Sequence, residues 1–142
     1  MAAPDRPLGG VLEACLYADD LEAAEAFYRD VLGLEFVTRI EGRHVFFRCQ
    51  GQMVFLFQPD ATETTSPDAP FPVPPHGARG PGHICFSSDA AGVAAWRSRL
   101  EAAGIGIEAD FNWPNGARSI YFRDPAGNSL EIAERQLWYE GE

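Results

Sequence analysis

The sequence is short of cysteine, of basic residues and of long apolar runs, and each shortage argues against a class of protein. Three cysteines are an odd number without the paired spacing of a zinc site, so we expect free thiols in a cytoplasmic protein. The 11 Lys and Arg residues stand against 21 Asp and Glu residues, and the resulting net charge of −10 repels nucleic acid. No apolar stretch approaches the roughly 20 residues that span a membrane, and residues 1–10 lack the apolar segment of a secretory signal. We therefore expect neither a nucleic-acid nor a membrane partner.

The remaining composition is that of one globular domain. Hydrophobic residues make up 46% and charged residues 23% of the 142 residues, which excludes collagen-like, coiled-coil and wholly disordered chains. A chain of this length is sufficient for one compact core.

An internal repeat organises the sequence. Residues 12–19 and 82–89 align at a constant offset of 70. In each copy a short strand leads to a helix, with Asp19 and Asp89 as the expected N-caps. Each helix stops at a glycine and is followed by further strands that include a hairpin. Both halves therefore read β-α-β-β-β, which predicts an α+β fold of two modules.

Seven of the eleven prolines lie in residues 59–81, between the two halves. Together with the Thr, Asp and Ser residues among them, they predict no regular element. This loop is either a lid over a binding site or a plain linker. The resulting division of the chain is an N-terminal extension 1–10, a first βαβββ module 11–58, a proline-rich connecting loop 59–81, a second βαβββ module 82–134 and a C-terminal tail 135–142.

Strand alternation brings three candidate metal ligands to the face of the sheet opposite the helices. These are Glu13, His83 and Glu131. A carboxylate between two buried apolar residues, as at Glu131, is costly to bury without a partner. One imidazole and two carboxylates can bind a divalent metal facially and leave positions for water or substrate. At an offset of 76 Glu131 aligns with Phe55, so the repeat supplies three ligands and not four.

An open-faced metal acts as a Lewis acid on a substrate that chelates through two neighbouring oxygens. Glu13 is the candidate base, and Glu131 is the second candidate catalytic carboxylate. A role for Glu13 as a plain ligand remains equally open.

Aromatic residues are expected to line the same side of the sheet and favour a planar or apolar substrate. Their alternative role is to fill the core. Arg118, Arg48 and Arg123 are candidates for binding a substrate carboxylate, or are surface charges of the hairpins. His76 in the proline-rich loop is a candidate acid or extra ligand. The predicted substrate-binding residues are Phe55, Phe57, Tyr17, Trp113, Tyr121, Arg118 and His76.

Three stretches resemble the vicinal oxygen chelate superfamily, which includes glyoxalase I, extradiol dioxygenases, fosfomycin-modifying thiol transferases and bleomycin-resistance proteins. They are residues 26–34, which end in Phe-Tyr-Arg-Asp-Val-Leu-Gly-Leu, residues 82–84, which read Gly-His-Ile, and residues 121–131 with the turn Asp-Pro-Ala-Gly-Asn. The resemblance implies paired βαβββ modules that form a cupped, eight-stranded mixed sheet around a metal, with the helices outside.

The resemblance also implies where the ligands lie: on the first strand of each module and on the final strand. These positions carry Glu13, His83 and Glu131 in this sequence. Many members have His at the position of Glu13, and the glyoxalase I pattern has a fourth protein ligand at the position of Phe55. The extra carboxylate makes the site harder, so the expected cofactor is a divalent ion among Fe, Mn, Ni, Zn and Mg.

Two functions follow from these expectations. The first is a metal-dependent small-molecule enzyme, either a glyoxalase-type lyase or isomerase or an extradiol-type dioxygenase. The alternative is a metal-free protein that binds or sequesters a small molecule, as bleomycin-resistance proteins do. The resemblance also implies a homodimer, and it leaves open whether Glu13 joins His83 within one chain or from a partner.

Overall fold

The computed structural model describes residues 1–141, so the last residue of the predicted C-terminal tail lies outside the described residues. The first half contains β1, α1 with a following π-helical turn, β2, β3 and β4, and a one-turn helix α2 follows. The second half contains β5, α3, β6, β7 and β8, and a 3-10 turn follows. The bounds are β1 Glu13–Tyr17, α1 Leu21–Ala26, π-turn Phe27–Val31, β2 Glu35–Ile40, β3 His44–Cys49, β4 Gln52–Phe57, α2 Pro59–Thr62, β5 His83–Ser88, α3 Ala90–Ala102, β6 Ala109–Asn112, β7 Arg118–Arg123, β8 Ser129–Glu134 and 3-10 turn Arg135–Leu137.

The eight strands form two four-stranded mixed sheets of identical topology. Their strand orders are β1-β4-β3-β2 and β5-β8-β7-β6. The outer pairs β1–β4 and β5–β8 are parallel, and the other pairs are antiparallel. The predicted α+β fold of two βαβββ modules with the helices outside is confirmed.

The strand register confirms that the sequence repeat corresponds to a repeat in the structure. Cys15 pairs with Phe55 in the first sheet, and Cys85 pairs with Glu131 in the second. Phe55 and Glu131 therefore occupy equivalent positions, as the offset of 76 predicted. The edge strands β1 and β5 begin with the equivalent residues Glu13 and His83.

The helix boundaries follow local chemistry. Asp89 caps α3 as predicted, because its carboxylate accepts the Gly92 N–H at 2.7 Å. For α1 the predicted cap is wrong by one residue, since the carboxylate that accepts the Ala23 N–H belongs to Asp20. The proline-rich loop also begins with a regular element that composition did not predict, α2. Pro59 is well placed in its first turn, and the Gln58 side chain caps the Asp60 N–H.

The two modules share one core. Tyr28 is fully buried, stacks on Phe47 of its own module and donates its hydroxyl proton to Asp124 of the other at 2.7 Å. Phe27 and Phe122 also meet across the junction, with ring centroids 6.4 Å apart. The modules are therefore joined by apolar burial and by a buried hydrogen bond.

Asn128 explains the Asp-Pro-Ala-Gly-Asn turn. Its side-chain oxygen accepts the Gly82 N–H at 2.8 Å, and its side-chain nitrogen donates to the Tyr17 carbonyl and to Asp124. A Cβ at Gly82 would lie 2.9 Å from the Leu16 side chain, so glycine allows the second module to approach the first closely. These contacts set the start of β5, immediately before His83.

No helix among residues 1–141 is both long enough and apolar enough to cross a membrane.

Candidate functional site

The second sheet brings two of the predicted metal ligands together. His83 is the first residue of β5, and Glu131 is on the neighbouring strand β8. Their Nε2 and Oε1 atoms are 3.3 Å apart. The His83 side chain is 51% exposed and the Glu131 side chain only 7%, so the pair lies at the surface of the sheet with its carboxylate shielded from water.

Hydrogen bonds orient the imidazole. His83 Nδ1 lies 2.8 Å from the Ser129 carbonyl oxygen, which only accepts, so Nδ1 carries the proton. In the neutral ring the lone pair is then on Nε2, the atom that faces Glu131 Oε1. Two acceptor atoms at this distance need a proton or a cation between them. The pair therefore holds either a shared proton, as an ion pair, or a cation between Nε2 and Oε1.

A chain of hydrogen bonds also orients the carboxylate. Glu131 Oε2 accepts from the Ser119 hydroxyl at 2.6 Å, and Ser119 accepts from Trp113 Nε1 at 2.8 Å. Trp113, predicted as a substrate-binding residue, thus uses its polar atom to support Glu131. Within this series of hydrogen bonds, Ser119 is the residue that the sequence analysis did not predict. Ser119 lies two residues before Tyr121 on β7, and strand alternation could therefore have placed it on the same face as Tyr121.

Neighbouring acids stay protonated at neutral pH. Burial, followed by interactions with Glu131, raises the pKa of Tyr121 to about 12 and that of Cys85 to about 12. The Tyr121 ring is nearly parallel to the His83 ring, with centroids 6.2 Å apart. A protonated thiol is a poor nucleophile, so at neutral pH Cys85 is not activated for covalent chemistry.

Glu13 does not join this pair within the chain. It lies at the start of β1 in the other sheet and is exposed. Among residues 1–141, no group of three or more His, Cys, Asp and Glu side chains is arranged to hold a metal ion. One chain thus presents two candidate ligands on one sheet and the third candidate ligand on the other.

The face of the first sheet opposite α1 carries an aromatic cavity of about 660 Å³. Phe46 stacks on Phe55 at a centroid distance of 3.7 Å, and Phe57 meets both rings edge to face. Tyr17 and His76 close one end, with the tyrosine oxygen 2.6 Å from His76 Nδ1. Four predicted substrate-binding residues therefore line one cavity. They are Phe55, Phe57, Tyr17 and His76.

The proline-rich loop forms the outer wall of this cavity. Residues 73–76 line it, and the His76 N–H is held by the Thr62 carbonyl at 2.9 Å. The His76 ring packs edge to face on Phe57 with centroids 4.6 Å apart. Residues 73–76 of the loop therefore form one side of this cavity.

The predicted carboxylate-binding arginines are all engaged elsewhere. Arg118 makes two hydrogen bonds to Asp110, at 2.8 and 2.7 Å, and Arg97 binds the same carboxylate. The hydrogen bond from Arg118 is the largest cause that lowers the pKa of Asp110 to about 2. The two remaining candidates pair with other acids: Arg48 with Glu35, and Arg123 with Glu108.

Sequence reasoning also missed Arg43 and His44, which line the aromatic cavity. His44 stacks on Phe46 with centroids 3.9 Å apart, and strand alternation with Phe46 was the available signal. Arg43 lies in the turn before β3, where alternation does not define a direction.

Comparisons with known proteins agree with this geometry. The family model described as the Glyoxalase/Bleomycin resistance protein/Dioxygenase superfamily matches residues 10–132. The crystal structure of lactoylglutathione lyase from Agrobacterium tumefaciens is 51% identical, with a TM-score of 0.89, and the match covers 94% of this chain and 98% of that one. A glyoxalase/bleomycin resistance protein/dioxygenase from Nocardioides is 26% identical, with a TM-score of 0.72 and coverage of 99% and 89%.

The fosfomycin resistance protein FosX from Listeria monocytogenes, at 21% identity and a TM-score of 0.67, shares the fold over 90% of this chain and 94% of that one. A comparison with curated proteins gives no match. The likeness to a protein named as a lyase supports the prediction of an enzyme.

Proposed function

Since the chain belongs to the Glyoxalase/Bleomycin resistance protein/Dioxygenase superfamily, we propose that it is a metal-dependent enzyme for a small molecule with two neighbouring oxygen atoms. The observation that carries this proposal is the pair His83 and Glu131, with Nε2 and Oε1 3.3 Å apart and each side chain held by a further hydrogen bond. Such preorganisation of both ligands is typical of metal sites.

The donor set fits a divalent metal. An imidazole nitrogen suits Fe, Ni and Zn, and carboxylate oxygens also suit Mn and Mg. Two ligands on one sheet are few for a stable site, and Glu13 is the natural third because it occupies on β1 the position that His83 occupies on β5.

We place that third ligand in a second copy of the chain. The strands β1 and β5 are edge strands of separate sheets, so β1 of one copy can lie beside β5 of another. In this homodimer each metal site takes His83 and Glu131 from one copy and Glu13 from its partner.

The residues then have distinct roles. A bound metal supplies a Lewis acid that stabilises negative charge on a substrate oxygen. His83 and Glu131 hold it, and Ser119 keeps the Glu131 carboxylate in position. Glu13, which is exposed, is the candidate base that takes a proton from the substrate.

The relative named lactoylglutathione lyase makes lactoylglutathione the first compound to test. Phe55 occupies the position equivalent to Glu131, so this chain offers three protein ligands where the glyoxalase I pattern has four. A dioxygenase is the alternative metal chemistry. Oxygen consumption with a catechol and Fe²⁺, in the absence of activity on lactoylglutathione, would favour it.

The test is metal analysis of protein purified without added metal, followed by titration of metal-depleted protein with Ni²⁺, Mn²⁺ and Zn²⁺ in a calorimeter. We expect saturable binding that His83→Ala abolishes. Glu22→Gln, on the exposed surface of α1, is the control and should bind as the wild type does. No bound metal and no uptake by the wild-type protein would refute the proposal.

The aromatic cavity favours a second candidate, a metal-free binding protein. This cavity is formed within one chain and includes neither His83 nor Glu131. If that is the whole function, a His83→Ala variant keeps full ligand affinity and the wild-type protein binds no metal.

A further inference from the structure

Arg43 is a cation in the aromatic cavity with no acidic partner. It lines the cavity over the first sheet and a second one of about 570 Å³ beneath the proline-rich loop. Its guanidinium carbon is 5.6 Å from the centroid of the Phe57 ring. Throughout residues 1–141, no carboxylate lies within ion-pair distance of Arg43. Arg118, Arg48 and Arg123 differ, since each has one.

One neighbour orients this guanidinium. Arg43 Nη1 donates to His44 Nδ1 at 2.5 Å. Burial and the adjacent Arg43 charge lower the pKa of His44 to about 4, so His44 is neutral at pH 7. The hydrogen bond uses one of five guanidinium N–H groups. Arg43 is therefore held by a neutral partner and keeps donors for an anion.

The one carboxylate that lines this cavity, Glu13, is at its other end. Arg43 lies over Phe57, which pairs with Tyr17, whereas Glu13 pairs with Met53. Four residues of strand separate these positions, about 13 Å. Arg43 thus gives its end of the cavity a positive charge.

We propose that this cavity is a binding site for an aromatic carboxylate, with Arg43 as its anion contact. The stacked rings of Phe46 and Phe55 offer planar apolar surface, and the Tyr17–His76 pair adds polar atoms at the Arg43 end. The cavity volume of about 660 Å³ is that of a small-molecule site. A single cation matches a singly charged ligand, and a guanidinium fork matches a carboxylate.

If the protein is the proposed enzyme, an aromatic carboxylate is its substrate class. Only this identification as a substrate rests on the proposed function. Binding itself involves the first module and the proline-rich loop and needs no metal. A failure of metal uptake and a failure of carboxylate binding are therefore separate results.

The experiment compares 2-naphthoate with its neutral analogue 2-naphthamide, titrated into the full chain in the presence of EDTA. We expect the acid to bind at least about tenfold more tightly than the amide, as a charge-assisted hydrogen bond implies. Cyclohexanecarboxylate, which carries the charge without the aromatic ring, should bind more weakly than naphthoate. Equal affinities for acid and amide would overturn the proposal without any variant.

Variants then assign the charge to Arg43. Arg43→Gln should weaken naphthoate binding about tenfold or more and remove the preference for acid over amide. Arg48→Gln is the matched control, because it removes an exposed arginine of β3 that pairs with Glu35 of β2. It should leave the affinities for 2-naphthoate and 2-naphthamide unchanged. A preference that survives in Arg43→Gln, or that Arg48→Gln removes equally, would overturn the assignment.

Discussion

The two modules have the same topology and nearly the same register, yet the sheet faces opposite their helices carry different chemistry. At equivalent positions of the parallel pair, the first sheet has Phe55 where the second has Glu131. The first face is aromatic and holds Arg43, whereas the second holds the His83–Glu131 pair and the hydroxyl of Ser119. The backbone repeat thus provides two equivalent platforms, and a few side chains determine what each one binds.

The largest effect is expected on metal affinity, when the second sheet face loses the carboxylate that the first face lacks. Glu131→Gln keeps the shape of the side chain and removes its charge, so metal affinity should fall by at least about 100-fold. Calorimetric titration measures it, with Glu41→Gln on the exposed β2–β3 turn as control. Unchanged affinity in Glu131→Gln would show that the second face is not the metal-binding face.

The junction between the modules is the next most sensitive point. Asn128→Ala removes three hydrogen bonds that tie Gly82, Tyr17 and Asp124 together. It should lower the free energy of unfolding by about 2–4 kcal/mol, because buried polar groups lose their partners. Urea unfolding measures the change. A loss below about 0.5 kcal/mol would mean that the Asn128 side chain contributes little to joining the modules.

A smaller effect is expected from the residue that orients Glu131. Ser119→Ala removes the hydroxyl between Trp113 and Glu131 and should weaken metal binding about tenfold, with little change in fold. Ser98→Ala, which removes an exposed hydroxyl on α3, is the control. Equal metal affinities in the two variants would contradict a positioning role for Ser119.

The smallest effect concerns the first face and pH. The folded-state pKa of His44, about 4, is below its ordinary value of 6.5, so the unfolded chain binds the proton more strongly. His44 should therefore contribute fully to stability above pH 6.5, and this contribution should be lost as the pH falls toward 4. Between pH 6.5 and pH 4, the free energy of unfolding should fall more steeply with decreasing pH for the wild type than for His44→Phe. Identical slopes would show that His44 is not buried in its neutral form.

Much of the fold and part of the candidate site were predictable from local sequence patterns. The constant offset of the repeat predicted that Phe55 and Glu131 are equivalent, and strand alternation predicted that Glu131 and His83 share a face. Alternation succeeds here because both strands are regular and pair without a register shift, with His83 opposite Ser129 and Cys85 opposite Glu131. The N-cap of α1 is Asp20 and not the predicted Asp19. Two adjacent aspartates offer the same capping chemistry, and the backbone direction selects between them.

The site was less predictable where it depends on tertiary placement. Arg118 was a candidate for substrate binding, but its partner Asp110 is on the neighbouring strand β6, and their pairing depends on register. Arg43 lies in a turn, where no periodicity gives its direction. The relation of Glu13 to His83 depends on how whole sheets are arranged, which a single chain does not encode locally.

The most direct test of a metal centre shared between two copies is complementation. Glu13→Gln and Glu131→Gln each impair every site in their own homodimer, but a mixed dimer has one site with all three ligands intact. Co-expression of the two variants should therefore restore tight metal binding to about a quarter of the sites, as random pairing of copies requires. If the mixture binds metal no better than either variant alone, the ligands do not come from two copies and the proposed centre is wrong.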